Sequence, residues 1–225
     1  MSVIADSVKE IRSTLNGGVR LLCVSKTHPK EFIDEAYACG ERDFAENKVQ
    51  EMTTKAEELP KDIRWHMIGH LQTNKVKYIA SYVYMIHSID SIKLLETVDK
   101  EAKKHNRVIK CLLQVHVAQE ETKFGLTADE LLELVSSDKI KNLTNVEICG
   151  LMGMASFTDD KKQIRKEFQE IKKLFDVCKS THYKEVDEFR EISMGMSGDY
   201  PIAIEEGSTM IRVGNGIFGK RYYQS

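Results

Sequence analysis

The strongest constraint on this chain is an alternation that runs its whole length. Eight short strand-like runs are separated by stretches with helical spacing. The runs are Arg20–Lys26, Asp43–Asn47, Arg64–Gly69, Tyr84–Ser88, Ile109–Val117, Val146–Met154, Glu191–Met196 and Met210–Val213. Between them, Glu31–Cys39, Val49–Leu59, Ser91–His105, Ala128–Ser136 and Lys161–Lys179 have helical spacing and charged outer faces. Strand and helix in regular alternation require a parallel sheet. Eight such units in 225 residues predict an α/β fold, a (β/α)8 TIM barrel, with an open doubly wound sheet as the alternative. Ser2 to Asn16 adds an amphipathic helix ahead of the first strand. No Gly/Pro/Ser-rich linker interrupts the pattern, so residues 1–225 are expected to form a single domain.

Charge and cysteine usage narrow the class of partner. A formal net charge of −2 without a dense Lys/Arg stripe argues against nucleic acid or an anionic membrane. The amino terminus lacks the continuous apolar core of a signal peptide, and nothing resembles a membrane span. Cys23, Cys39, Cys111, Cys149 and Cys178 form no C-x-x-C pair, and three sit in strand-like runs. Reduced thiols in a cytoplasmic protein are the simplest reading.

In a barrel of this kind chemistry gathers at the carboxyl ends of the strands, and the unusual residues concentrate there. The first run, Leu21-Leu22-Cys23-Val24-Ser25, ends in Lys26. Apolar surroundings disfavour an ammonium ion and increase the share of free amine. Such an amine condenses with an aldehyde to give a Schiff base. Later strands end in Glu46-Asn47, His66-Met67-Ile68-Gly69-His70 and His87-Ser88-Ile89-Asp90. The last two end in glycine-rich turns, Met194-Gly195-Met196-Ser197-Gly198-Asp199 and Arg212-Val213-Gly214-Asn215-Gly216.

Those two turns fit a phosphate. Ser197-Gly198 precede Asp199-Tyr200-Pro201, an N-cap followed by proline in the first turn of a helix. Free N–H groups and the positive dipole end there suit a dianion. Gly214-Asn215-Gly216 would let backbone approach from the other side. The Asp199 carboxylate is expected to point back to the helix, away from a phosphate.

Together these segments resemble the YggS/PROSC family of pyridoxal phosphate homeostasis proteins. The likeness rests on seven ordered motifs: Val24-Ser25-Lys26-Thr27; Glu46-Asn47 with Gln50-Glu51; Trp65-His66-Met67-Ile68-Gly69-His70-Leu71-Gln72 with Asn74-Lys75; His87-Ser88 with Asp90; Gly150-Leu151-Met152-Gly153-Met154; Ser193-Met194-Gly195-Met196-Ser197-Gly198-Asp199; and Gly207-Ser208-Thr209 leading to Arg212-Val213-Gly214 and Ile217-Phe218-Gly219. Ala45 and Lys48 depart from the family's usual glycine and tyrosine.

The resemblance implies an alanine-racemase-like barrel with pyridoxal 5'-phosphate (PLP) held on Lys26 as an internal aldimine. It implies a role in vitamin B6 and amino-acid homeostasis without established turnover, so no residue is expected to be catalytic. Apo PLP-dependent enzymes are the candidate acceptors. The cofactor-binding residues are then Lys26, Asn47, Ser197, Gly198, Arg212, Gly214 and Asn215. The arginine matching Arg212 donates to the pyridine nitrogen and keeps it unprotonated, which biases the site against demanding carbanion chemistry. Asn47 is read equally as a partner of the ring hydroxyl or pocket and as a strand-end turn residue.

The enzymatic alternative is a racemase, lyase or decarboxylase of the same barrel type, and a cofactor-free Schiff-base aldolase is a third reading. Two-base racemases of this type place a tyrosine from a further β-domain opposite the lysine. This chain stops soon after Phe218-Gly219, which is expected to leave no room for that domain, and Tyr222 and Tyr223 carry no argument for catalysis. No metal site is expected, because His66 and His70 lie too far apart on a strand and lack a cysteine or acidic partner at ligand spacing. His66 reads as a satisfied barrel residue, while His70, His87 and Asp90 read as rim groups without an assigned role. Lys123-Phe124-Gly125 reads as a loop contact, and methionines such as Met152, Met154, Met194 and Met196 as core filler.

Overall fold

The computed structural model describes residues 2–15, 17–119 and 124–219. Lys123, Tyr222 and Tyr223 lie outside them. Eight strands close a parallel barrel in sequence order, which removes the open-sheet alternative. They are β1 (Arg20–Val24), β2 (Asp43–Glu46), β3 (Arg64–Met67), β4 (Met85–Ile89), β5 (Ile109–Gln114), β6 (Val146–Met152), β7 (Glu191–Met196) and β8 (Met210–Val213). β1 is flanked by β2 and β8, with Cys23 opposite Phe44 on one side and Leu22 opposite Arg212 on the other. The helices used below are α1 (Val3–Thr14), α2 (Lys30–Ala38) and α3 (Val49–Glu58). α1 is the extra amino-terminal helix; Ser2 caps it by accepting from the Ala5 N–H at 3.2 Å, and it buries Ile4, Val8 and Ile11.

Alternation along the strands divides the core in two. Leu21 and Cys23 face outward with Phe44 and Trp65 beneath the helices. Leu22 and Val24 face inward with Ala45, Met85, Leu112, Cys149, Met152 and Met210. Side chains thus fill the barrel, as this fold requires. Cys23, Cys111, Cys149 and Cys178 are free and buried, and Cys39 is free and exposed.

Five strands stop before the ends of their expected runs: β1 at Val24, β2 at Glu46, β3 at Met67, β5 at Gln114 and β6 at Met152. After Gln114 the chain pairs with a returning segment: Leu126 N–H donates to Gln114 O at 2.7 Å and His116 N–H to Leu126 O at 2.8 Å. After Met152 the carbonyl of Gly153 turns to a side chain, accepting from Arg212 Nη2 at 2.9 Å. Among the described residues no helix is long and apolar enough to cross a membrane.

Candidate cofactor site

The expected site residues follow four strands that are adjacent around the closed barrel. Ser197 and Gly198 follow β7, Gly214 and Asn215 follow β8, Lys26 follows β1 and Asn47 follows β2. They therefore form one continuous arc of the rim, with Arg212 buried inside the barrel on β8. Sequence spacing does not bring these four strand ends together; the pairing of β7 with β8, β8 with β1 and β1 with β2 does.

Lys26 does not end the strand. It lies in a turn just past β1, partly buried. Thr27 beside it has φ +65°, a left-handed conformation that is a true outlier for a β-branched residue. Such strain costs about 1–3 kcal/mol and persists only where surrounding bonds impose it. They are present here. Glu51 on α3 accepts from Thr27 N–H at 2.6 Å, and Lys55, one helical turn later, donates to Ser25 O at 2.8 Å. Lys55 Nζ also bonds Glu51 at 2.8 Å and Glu46 at 2.7 Å, and Ser25 Oγ donates to the same Glu46 oxygen at 2.7 Å. This ionic cluster pins the lysine turn to β2 and α3.

Glu46 and Lys55 are both buried. Burial pushes the Glu46 carboxyl up to about 7, against the pull of Lys55 and with the help of Glu51. Two results follow. Lys55→Ala strips the buried carboxyl of its cation, so chemical denaturation should show a loss of about 3–5 kcal/mol; a loss below about 1 kcal/mol would contradict the cluster's role. Because the folded value lies above the ordinary carboxylate range near ~4.3, folding favours the protonated form. That contribution is complete below about pH 4.3 and lost as pH rises through about 7. Glu46→Gln, permanently neutral, should gain stability on the parent between pH 5 and about 8 in urea titrations, and a constant difference would contradict the shift.

On the other side of the arc, Ser197 Oγ accepts from Gly216 N–H at 3.3 Å and joins the β7 and β8 turns. A Cβ on Gly198 would meet nothing within 4 Å, so its backbone faces open space at the rim. Asp199 is the N-cap of the short helix Tyr200–Glu205, with proline in its first turn. Its carboxylate is turned back as expected, but onto the strand end rather than the helix: it accepts from Met196 N–H at 2.5 Å. Arg212 donates from Nη1 to Ser193 Oγ at 2.7 Å and from Nη2 to Gly153 O at 2.9 Å. Burial lowers it to about 10, partly opposed by Asp199, which leaves it a cation at neutral pH.

Asn47 sits against the segment that follows β3, where Gly69 is obligatory: a Cβ there would lie 2.2 Å from Asn47 O. Buried Asn47 Oδ1 and Thr27 Oγ1 have no hydrogen-bond partner. Buried polar atoms without partners are costly; one belongs to the residue after Lys26 and the other to the residue after β2, the strand paired with β1. Of the two unusual positions, Ala45 packs inside the barrel and Lys48 is exposed ahead of α3. His70 Nδ1 lies 3.3 Å from Asp90 Oδ2 at the rim, and His70 stacks on Phe124 with centroids 3.9 Å apart. His87 is not a rim group. It is fully buried inside the barrel, as is His66, because both sit at inward-facing positions of their strands.

The residues missed from sequence are Lys55, Glu51 as a clamp, Asp43 and Ser193. Their signal was parity: Asp43, His66, His87, Ser193 and Arg212 are polar residues within apolar strands, and Lys55 follows Glu51 by one helical turn.

A lysine turn with an unpartnered polar atom at its next residue, a buried arginine and a Gly198 backbone that faces open space fit PLP. The family described as alanine racemase, N-terminal domain, matches residues 1–222. A pyridoxal phosphate homeostasis protein of Aquifex aeolicus is 40% identical over 205 residues, 91% of this chain and 88% of the relative. PipY of Synechococcus elongatus, solved with PLP bound, is 36% identical with a TM-score of 0.87, covering 96% of this chain and 100% of PipY. Alanine racemase of Bartonella henselae, 14% identical with a TM-score of 0.73 over 97% of this chain and 58% of the racemase, shares the fold. The chain belongs to the pyridoxal phosphate homeostasis proteins, a branch of the alanine racemase N-terminal domain family.

Proposed function

We propose that the chain, acting as one unit over residues 1–225, binds PLP covalently through Lys26 and serves PLP and amino-acid homeostasis in the cytoplasm, as a carrier rather than an enzyme. The observation that carries this reading is the continuous rim arc from the β7 turn to Asn47, with the lysine turn held rigid by Glu51 and Lys55. PLP supplies an aldehyde that amines capture and a ring that accepts electron density.

The chain's own residues divide the binding. Lys26 provides the amine. Ser197, Gly198, Gly214 and Asn215 provide polar groups and accessible backbone for the phosphate, and Asn47 provides an unpartnered carbonyl beside the lysine turn. Arg212, held by Ser193 and Gly153, would present a fixed cation to the ring nitrogen and so keep that nitrogen unprotonated. A ring held in that state stabilises carbanions weakly, which favours storage over turnover.

The test is delivery. Loaded protein mixed with an apo PLP-dependent enzyme should restore that enzyme's activity, while a panel of amino acids in deuterated water should show no inversion at multiple turnovers per second. Rapid inversion abolished by Lys26→Ala would replace the carrier reading with an enzyme.

A further inference from the structure

One file of hydrogen bonds crosses the barrel interior and ends on Arg212. It starts at the amino-terminal ends of β2 and β3, where Arg64 grips Asp43 with a two-bond fork of 2.7 and 2.6 Å. Asp43 Oδ1 lies 3.0 Å from His66 Nε2, and His66 Nδ1 lies 2.9 Å from His87 Nε2. His87 Nδ1 lies 3.0 Å from Ser193 Oγ, which lies 2.7 Å from Arg212 Nη1. Asp43 and Arg212 are each 4% exposed, and the three residues between them are 0% exposed, so water does not break the file.

The two ends dictate every proton between them. Burial alone would raise Asp43, but the bonds from Arg64 and His66 outweigh it and hold the carboxyl well below its usual range. An ionised carboxylate only accepts, so His66 carries its hydrogen on Nε2. Burial lowers both imidazoles, His87 further because His66 and Arg212 lie near it, and neutral rings have one donor each. His66 Nδ1 is then an acceptor and His87 Nε2 the donor to it. His87 Nδ1 accepts from the Ser193 hydroxyl, whose lone pair receives Arg212, a group that only donates. Reversing any one link would set donor against donor or acceptor against acceptor.

We propose that Asp43, His66, His87 and Ser193 are positioning residues that form a one-way relay, locking the orientation of the Arg212 guanidinium and linking it to a negative charge at the far end of the barrel. The relay is a property of the ligand-free chain. Its effect on PLP rests on the reading given above.

The experiment has two arms that separate those claims. In the first, long-range ¹H–¹⁵N spectra of ligand-free protein at pH 7 should show His66 and His87 both neutral with the proton on Nε2. A proton on Nδ1 of either ring, or a doubly protonated ring, overturns the relay whether or not PLP binds. In the second, Asp43→Asn, checked as folded by near-ultraviolet circular dichroism, should displace the visible absorption maximum of bound PLP and raise its Kd about tenfold, the scale of one weakened bond to a charged group. Ser193→Ala should displace the same band. An unchanged band and Kd in folded Asp43→Asn overturns the positioning role. Failure of the parent protein to bind PLP overturns the cofactor reading and leaves the tautomers to judge the relay.

Discussion

Lys26→Ala is expected to abolish the visible absorption that the parent protein acquires on mixing with PLP, and with it all borohydride-stable label. The magnitude is total because the chemistry requires one primary amine in one place. Neighbouring Lys55 cannot substitute. It is buried and committed to Glu46, Glu51 and the carbonyl of Ser25 at 2.7–2.8 Å. Lys48, next to Asn47, is exposed at the start of α3, where its side chain makes no capping hydrogen bond. A Lys26→Ala protein that kept full colour would show that another amine holds the aldehyde. Loss of colour with unchanged unfolding by urea would separate loss of the amine from loss of the fold.

The second large effect is the dependence on phosphate. Pyridoxal should bind about 10²- to 10⁴-fold more weakly than PLP, since two charge-assisted bonds at about 1.5–3 kcal/mol each are lost. Ser197→Asp is the sharper probe. An aspartate can still accept from Gly216 N–H and keep the β7 and β8 turns together, yet it faces a dianion. At about 4 Å each unit of charge costs roughly 1 kcal/mol even in water, so PLP should lose about a further thirtyfold while pyridoxal barely changes. Equal affinity for the two vitamers, in titrations followed by absorbance, would remove the phosphate from these turns.

Much of this arrangement was legible in the sequence, for definite reasons. The strand starts were clear because apolar runs open abruptly after charged turns: Arg20, Asp43, Arg64, Ile109, Val146, Glu191 and Met210 each begin a strand as expected. Strand ends were less clear at β5 and β6. There the apolar run continues after the ladder stops, and only the return of Leu126 to Gln114 or the turn of Gly153 O to Arg212 decides the boundary. Lys26 was found by type, but its setting was not: the left-handed Thr27 and its Glu51 clamp are long-range facts. His87 was misplaced at the rim. A bulge in β4 between Ile86 and Ile89 displaces the register there, and the partner that explains a buried histidine, Ser193, lies 106 residues away.

The most direct test of the central claim is chemical. Parent protein loaded with PLP is reduced with borohydride, digested and mapped by mass spectrometry. The account predicts a pyridoxyl phosphate label on the peptide carrying Lys26, in close to one-to-one stoichiometry, and none on the peptides carrying Lys48 or Lys55. A label on another lysine in freshly reduced protein, or no label at all, would contradict it.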